Sequence, residues 1–298
     1  MLLDLRTKEI NLPGIPAGAG VANSRQWQIY DGPNTIYWGN LHCSIAGVAA
    51  TDAQIDAQIT GVEVKDNETV LIDQSFTPLE LRALYDHVHT KDGGAWAANT
   101  GDIPLPLVPD YFPYRGQTSY YGLGRKSEDG KRSTFKITLT FGTLVTIDLI
   151  TPTLTLDYTE VDVPLGKHIR YSKFSAQAFA GTGDNPQTEI FRNMQPISAH
   201  ELLFGTTTGV ILNFTVRRDN EYIHDHTPAQ AIARQAHRGG FTPITNRTAV
   251  HFNQNNDPTS ALPLINQPMV TITPNWSVSP AGAYDVWRIC EYDGHAAA

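Results

Sequence analysis

The sequence predicts an all-β chain of two fused β-sandwiches, on three observations: an internal duplication, a composition poor in charge, and recurrent period-two segments. One copy of the duplicated module reads Val62-Glu63-Val64-Lys65-Asp66-Asn67-Glu68-Thr69-Val70-Leu71-Ile72, then Thr77-Pro78-Leu79-Glu80. The other reads Leu212-Asn213-Phe214-Thr215-Val216-Arg217-Arg218-Asp219-Asn220-Glu221-Tyr222-Ile223, then Thr227-Pro228-Ala229-Gln230. Asp66 to Asp219 is 219 − 66 = 153 positions, and Thr77 to Thr227 is 227 − 77 = 150. A period that long means two domains of one fold, not a solenoid. Charged residues are 17% of the 298 positions, under the roughly 25% of an average soluble protein.

Residues 1–25 read as an arm rich in Gly, Pro and Ala that opens with Leu2, Leu3 and Leu5. Such a composition builds no core, while the three leucines need an apolar partner. Strands follow at Trp27–Tyr30, Thr35–Trp38 and His42–Val48, then the first module. In each module, alternating apolar residues mark a half-buried strand, and Asp-Asn-Glu supplies the turn. Thr-Pro-x-Glu and Thr-Pro-x-Gln are capping boxes that open a helix. Leu81, Leu84, Tyr85 and Val88 give the first helix an apolar face; Ala229, Ile232, Ala233 and Ala236 give the second one. Gly93-Gly94 and Gly239-Gly240 end them.

A Pro- and Tyr-rich insertion occupies about 95–130, and its prolines exclude central strands. Its rings, among them Trp96, Tyr111, Tyr114, Tyr120 and Tyr121, are expected to pack against the body or a neighbour. Phe135–Thr140, Leu144–Ile150 and Thr153–Tyr158 alternate as strands. Val163-Pro164-Leu165-Gly166 is the predicted boundary, giving domains of 26–164 and 165–298. The second begins with a strand at Ile169–Phe179 and closes with Thr248–Phe252, Met269–Thr273, Trp276–Val278 and Val286–Tyr292.

The formal net charge of −8 argues against broad attraction to phosphate backbones, so no specific nucleic-acid binding is expected. Cys43 and Cys290 form no metal spacing and read as buried free thiols, which suits folding in a reducing cytoplasm. Met1-Leu2-Leu3-Asp4-Leu5-Arg6 lacks the apolar segment of a signal peptide.

With the strand-turn-strand-helix module at Gly61–His87 and again at Val210–His237, and Val286-Trp287-Arg288-Ile289-Cys290-Glu291-Tyr292 as closing strand, the chain resembles a known family. This is the double jelly-roll major capsid proteins of tailless icosahedral viruses with an internal membrane, with the corticovirus-type bacteriophage coat protein nearest in pattern. The 95–130 insertion departs from that pattern. The resemblance implies two fused jelly-roll β-sandwiches (a double jelly roll), each with one main flanking helix. It also implies a homotrimer with pseudo-hexagonal outline that tiles an icosahedral shell in the virion. Implied partners are further copies, vertex or minor capsid proteins, and the inner viral membrane through the arm. Leu2, Leu3, Leu5, Tyr111, Tyr114, Tyr120 and Tyr121 are the assembly candidates.

Chemical motifs are sparse. His87 and His89 stand two apart on a helix and point to nearly opposite faces. His224 and His226 can share a strand face and are the metal candidates, but tetrahedral sites want three or four ligands, so a polar lead-in to the Thr227 cap is preferred. That pair motivates an alternative, a two-domain cupin-type metal enzyme, although no Glu follows at suitable spacing. A second alternative is a carbohydrate-binding β-sandwich that stacks sugars on the insertion's aromatics. No nucleophile elbow and no Walker loop occur, so no catalytic residue and no cofactor is expected.

Overall fold

The computed structural model describes residues 6–14, 24–29, 35–66, 68–88, 96–107, 134–142, 150–159, 167–176, 181–191, 196–218, 221–227, 229–230, 233, 244–252, 261–265, 269–280 and 282–293. Two units emerge, one of residues up to Arg170 and one of Tyr171–Asp293. The first half holds β1 (Arg6–Asn11), β2 (Ser24–Ile29), β3 (Thr35–Ile45), β4 (Val48–Ala49), α1 (Asp52–Gln58) and β5 (Ile59–Asp66). It continues with β6 (Thr69–Ile72), α2 (Pro78–Val88), β7 (Asp102–Leu105), β8 (Phe135–Phe141) and β9 (Ile150–Thr159). Then come β10 (Lys167–Ala176), β11 (Gly183–Asp184), β12 (Ser198–Gly205), β13 (Val210–Arg218) and β14 (Glu221–His226). β15 (Arg247–His251), β16 (Leu262–Pro263), β17 (Val270–Val278) and β18 (Tyr284–Asp293) complete the described strands.

In the first unit one sheet runs β1-β9-β3, with β7 and the short β4 also on β3; the other runs β6-β5-β8-β2. In the second unit one sheet runs β10-β18-β12-β15, with β16 on β12; the other runs β14-β13-β17-β11. Two four-stranded antiparallel sheets with this connectivity form a jelly roll, so the chain is a double jelly roll.

The duplication holds at the level of hydrogen-bond register. β5 pairs β8 from Ile59↔Phe141 to Asp66↔Phe135, with a bulge between Ile59 and Gly61. β13 pairs β17 from Ile211↔Trp276 to Arg218↔Val270, with a bulge between Ile211 and Asn213. Every pair of the first ladder maps onto the second by adding 211 − 59 = 152 on one strand and 276 − 141 = 135 on the other. The hairpin bulges also coincide, Val64/Lys65 in β5–β6 and Val216/Arg217 in β13–β14. Trp27↔Ile137 has its counterpart in the single bridge Gln187↔Ile272. In the other sheet Trp38↔Asp157 and Leu41↔Leu154 match Glu201↔Ile289 and Phe204↔Val286, again with a bulge just before. Since a one-residue slip turns every side chain to the wrong face, matching registers place matching cores. Leu41, Val62, Val64, Ile137 and Leu154 are fully buried, as are their counterparts Phe204, Phe214, Val216, Ile272 and Val286. Larger rings fill the second core, where Phe204 and Phe214 lie 4.9 Å apart and Trp276 meets Tyr284 edge-on at 5.1 Å.

Both predicted capping boxes are present. The Thr77 N–H donates to Glu80 Oε2 at 2.8 Å and the Glu80 N–H to Thr77 Oγ1 at 3.3 Å. The Thr227 N–H donates to Gln230 Oε1 at 2.8 Å and the Gln230 N–H to Thr227 Oγ1 at 3.2 Å. On α2 the apolar face is buried through Leu81, Leu84 and Val88. Arg82 reaches from it to Asp56 of α1 at 2.5 Å, joining the two helices. Gly61 is required at the β5 bulge, because a Cβ there would stand 2.3 Å from the Gln74 carbonyl oxygen.

Several expectations need correction. Part of the arm is structural: Arg6–Asn11 pairs with β9, Leu12 is buried, and Trp27 Nε1 donates to the Pro13 carbonyl. The strands expected at Thr35–Trp38 and His42–Val48 are one strand, β3, ended by a turn at Ala46-Gly47. Met269–Thr273 and Trp276–Val278 are also one strand, because Pro274 keeps its place in the ladder and its carbonyl accepts from the Asn185 N–H. The insertion contributes β7, which among the described residues pairs with β3 alone, in keeping with Pro104. A helix not foreseen, α1, starts at a third capping box, Thr51 with Gln54. Ala229 and Ala233 are exposed, so the described part of the second helix does not bury the face expected of it. The strand expected at Leu144–Ile150 and both Gly-Gly stops lie outside the described residues, apart from Ile150.

Candidate functional site

His224 and His226 stand on β14 in register with Val216 and Phe214 of β13, so their backbones occupy one pleat of an edge strand; their side chains lie outside the described residues. His87 ends α2 and is fully buried, while His89 lies outside the described residues. Leu2, Leu3, Leu5, Tyr111, Tyr114, Tyr120 and Tyr121 also lie outside them.

Polar chemistry gathers instead on the second unit's β12 and β18. His200 Nε2 lies 3.2 Å from Glu291 Oε2, and His251 Nε2 lies 3.2 Å from Glu201 Oε1. All four side chains are buried, and β12 has no exposed residue along its length. A buried carboxylate is tolerated where an imidazole hydrogen-bonds it, so each pair fixes strand position. The signal available in sequence was His200-Glu201 abutting the apolar run Leu202-Leu203-Phe204, a polar pair inside a continuous buried strand.

Arg288, on the core side of β18, donates to Ser172 Oγ at 3.1 Å and to the Ile190 and Lys173 carbonyls at 2.6 and 2.9 Å. Its guanidinium fork thus ties β18 to β10 and to the segment before β12. At the strand's start, Asp285 accepts from Arg247 at 2.6 Å and from Trp287 Nε1 at 2.9 Å. The Arg247 guanidinium lies 3.5 Å over the Trp287 ring. Burial raises the Asp285 carboxyl, but the Arg247 and Trp287 bonds together bring it below its ordinary value.

In the first unit, Tyr85 of α2 joins Trp38 at 6.0 Å and Trp96 at 5.1 Å. Trp96 of the insertion therefore packs on the body, and its backbone N–H donates to Asp86 Oδ1 at 2.6 Å. His42 Nδ1 bonds Asp102 at 2.8 Å across β3–β7. Cys43 and Cys290 are buried free thiols, and desolvation with the nearby Asp102 charge pushes the Cys43 thiol up to about 12. Neither thiol is poised as a nucleophile.

Matched strands of the two halves differ in exposure. β6 is buried at Thr69, Leu71 and Ile72, whereas its counterpart β14 exposes Glu221, Tyr222 and Asp225. β10 is buried at Ile169, Tyr171 and Ser172, whereas its counterpart β1 exposes Thr7, Glu9 and Asn11. The second unit also exposes aliphatic residues side by side where β13 and β17 end, at Val210, Leu212 and Val278.

No family model matches the chain, and no curated protein matches its sequence. Solved structures do share its fold. The major capsid protein P2 from bacteriophage PM2 superposes with a TM-score of 0.67 at 13% identity, over 96% of this chain and 97% of that one. The STIV MCP gives 0.60 at 10% identity, over 98% and 100%. The Faustovirus major capsid protein gives 0.55 at 8%, over 98% and 90%. At such identities the shared property is the double jelly-roll fold, covered nearly end to end in each chain.

Proposed function

We propose that this chain is a major capsid protein whose role is structural: copies of it form the shell of an icosahedral virion. The observation that carries this reading is the register-level duplication. Two jelly rolls with the same ladders give each chain two similar outlines, so three chains present six similar sides and pack as a pseudo-hexagon. The fold shared over nearly the whole chain with three proteins described as capsid proteins supports the same reading. Vertex or minor capsid proteins and an inner membrane, met by Leu2, Leu3 and Leu5 of the arm, are the further partners in this proposal. Polar groups of the second unit serve strand position rather than catalysis: Arg288 ends on carbonyls and a hydroxyl, and each buried imidazole faces a carboxylate.

Light scattering of the purified protein should give a species of 3 × 32.8 = 98.4 kDa, and electron microscopy should show hexagonal blocks or shells. A protein that stays monomeric at high concentration overturns the proposal.

A further inference from the structure

We draw no further inference here: the strongest candidate, the exposed aliphatic patch of Val210, Leu212 and Val278 where β13 and β17 end, carries none because nothing in the structure shows what covers it.

Discussion

Asp66→Asn should stabilise the protein at pH 8 and leave it nearly unchanged below pH 4, where both states hold the proton. Asp66 ends β5 opposite Phe135, on the same side of the strand as the fully buried Val62 and Val64. Its Oδ1 is buried without a hydrogen-bond partner, and burial pushes the carboxyl from 3.8 up to about 7. The folded state therefore holds a proton that the unfolded chain releases near pH 4. Below pH 4 both states are protonated and the group costs nothing. As pH rises from about 4 to about 7 the unfolded chain has released this proton while the folded state still holds it, so stability falls across that window and is level once both states are ionised. A rise of about 3 units at ~1.4 kcal/mol each sets an upper bound of ~4 kcal/mol; since Asp66 is half-buried, ~2 to 3 kcal/mol is expected. Asparagine has the shape of the protonated acid and does not titrate. Urea unfolding followed by tryptophan fluorescence, at one protein concentration and at about pH 3.5, 5.5 and 8, measures the difference. The wild-type protein should lose its ~2 to 3 kcal/mol relative to the variant across that range. A constant difference at all three pH values, or a variant less stable at pH 8, refutes the reasoning.

Two further substitutions probe the duplicated parts. Thr77→Ala and Thr227→Ala each remove a cap hydroxyl that accepts a backbone N–H, and each should cost ~1 kcal/mol in urea unfolding. Gly61→Ala drives a methyl into the Gln74 carbonyl at the bulge and should cost ~2 kcal/mol, with a lowered Tm.

Local chemistry was the legible part of the sequence. Thr-Pro-x-Glu and Thr-Pro-x-Gln specify capping geometry within four residues, and both boxes have that geometry. The hairpins were found for the same reason, but their alignment was one residue out. Asp66-Asn67-Glu68 and Asp219-Asn220-Glu221 share letters, yet the ladders match Asp66 with Arg218, at 218 − 66 = 152. Identity in a turn is weak evidence of register, because hydrogen bonds across the strands decide it. The expected strands stop at Trp38 and Thr273, just before Gly39 and Pro274, yet both residues lie inside ladders. In β17 the proline keeps its ladder position, and at Gly39 a side chain would crowd Leu105 and Leu156. The helix α1 was overlooked although Thr51 and Gln54 had the same spacing as the boxes that were recognised. Of the site, the His224–His226 pair drew attention because it is visible as a short motif. The buried partners of His200 and His251 lie 91 and 50 positions away, at Glu291 and Glu201, and strand pairing alone unites them.

The matched registers also show where chain length is free. The offset between copies is 201 − 38 = 163 at β3 and β12, 152 at β5 and β13, and 247 − 102 = 145 at β7 and β15. It is 135 at β8 and β17 and 286 − 154 = 132 at β9 and β18. Within each matched ladder the offset never changes, even across the bulges. All of the difference falls between strands: 163 − 152 = 11 residues in the stretch that includes α1, 152 − 145 = 7 in the stretch that includes α2, 145 − 135 = 10 between β7 and β8, and 135 − 132 = 3 between β8 and β9. Those joints have already absorbed segments of that size in one half without altering a single pairing. A peptide grafted between β7 and β8, or beside α1, would follow the same route and leave the ladders as they are.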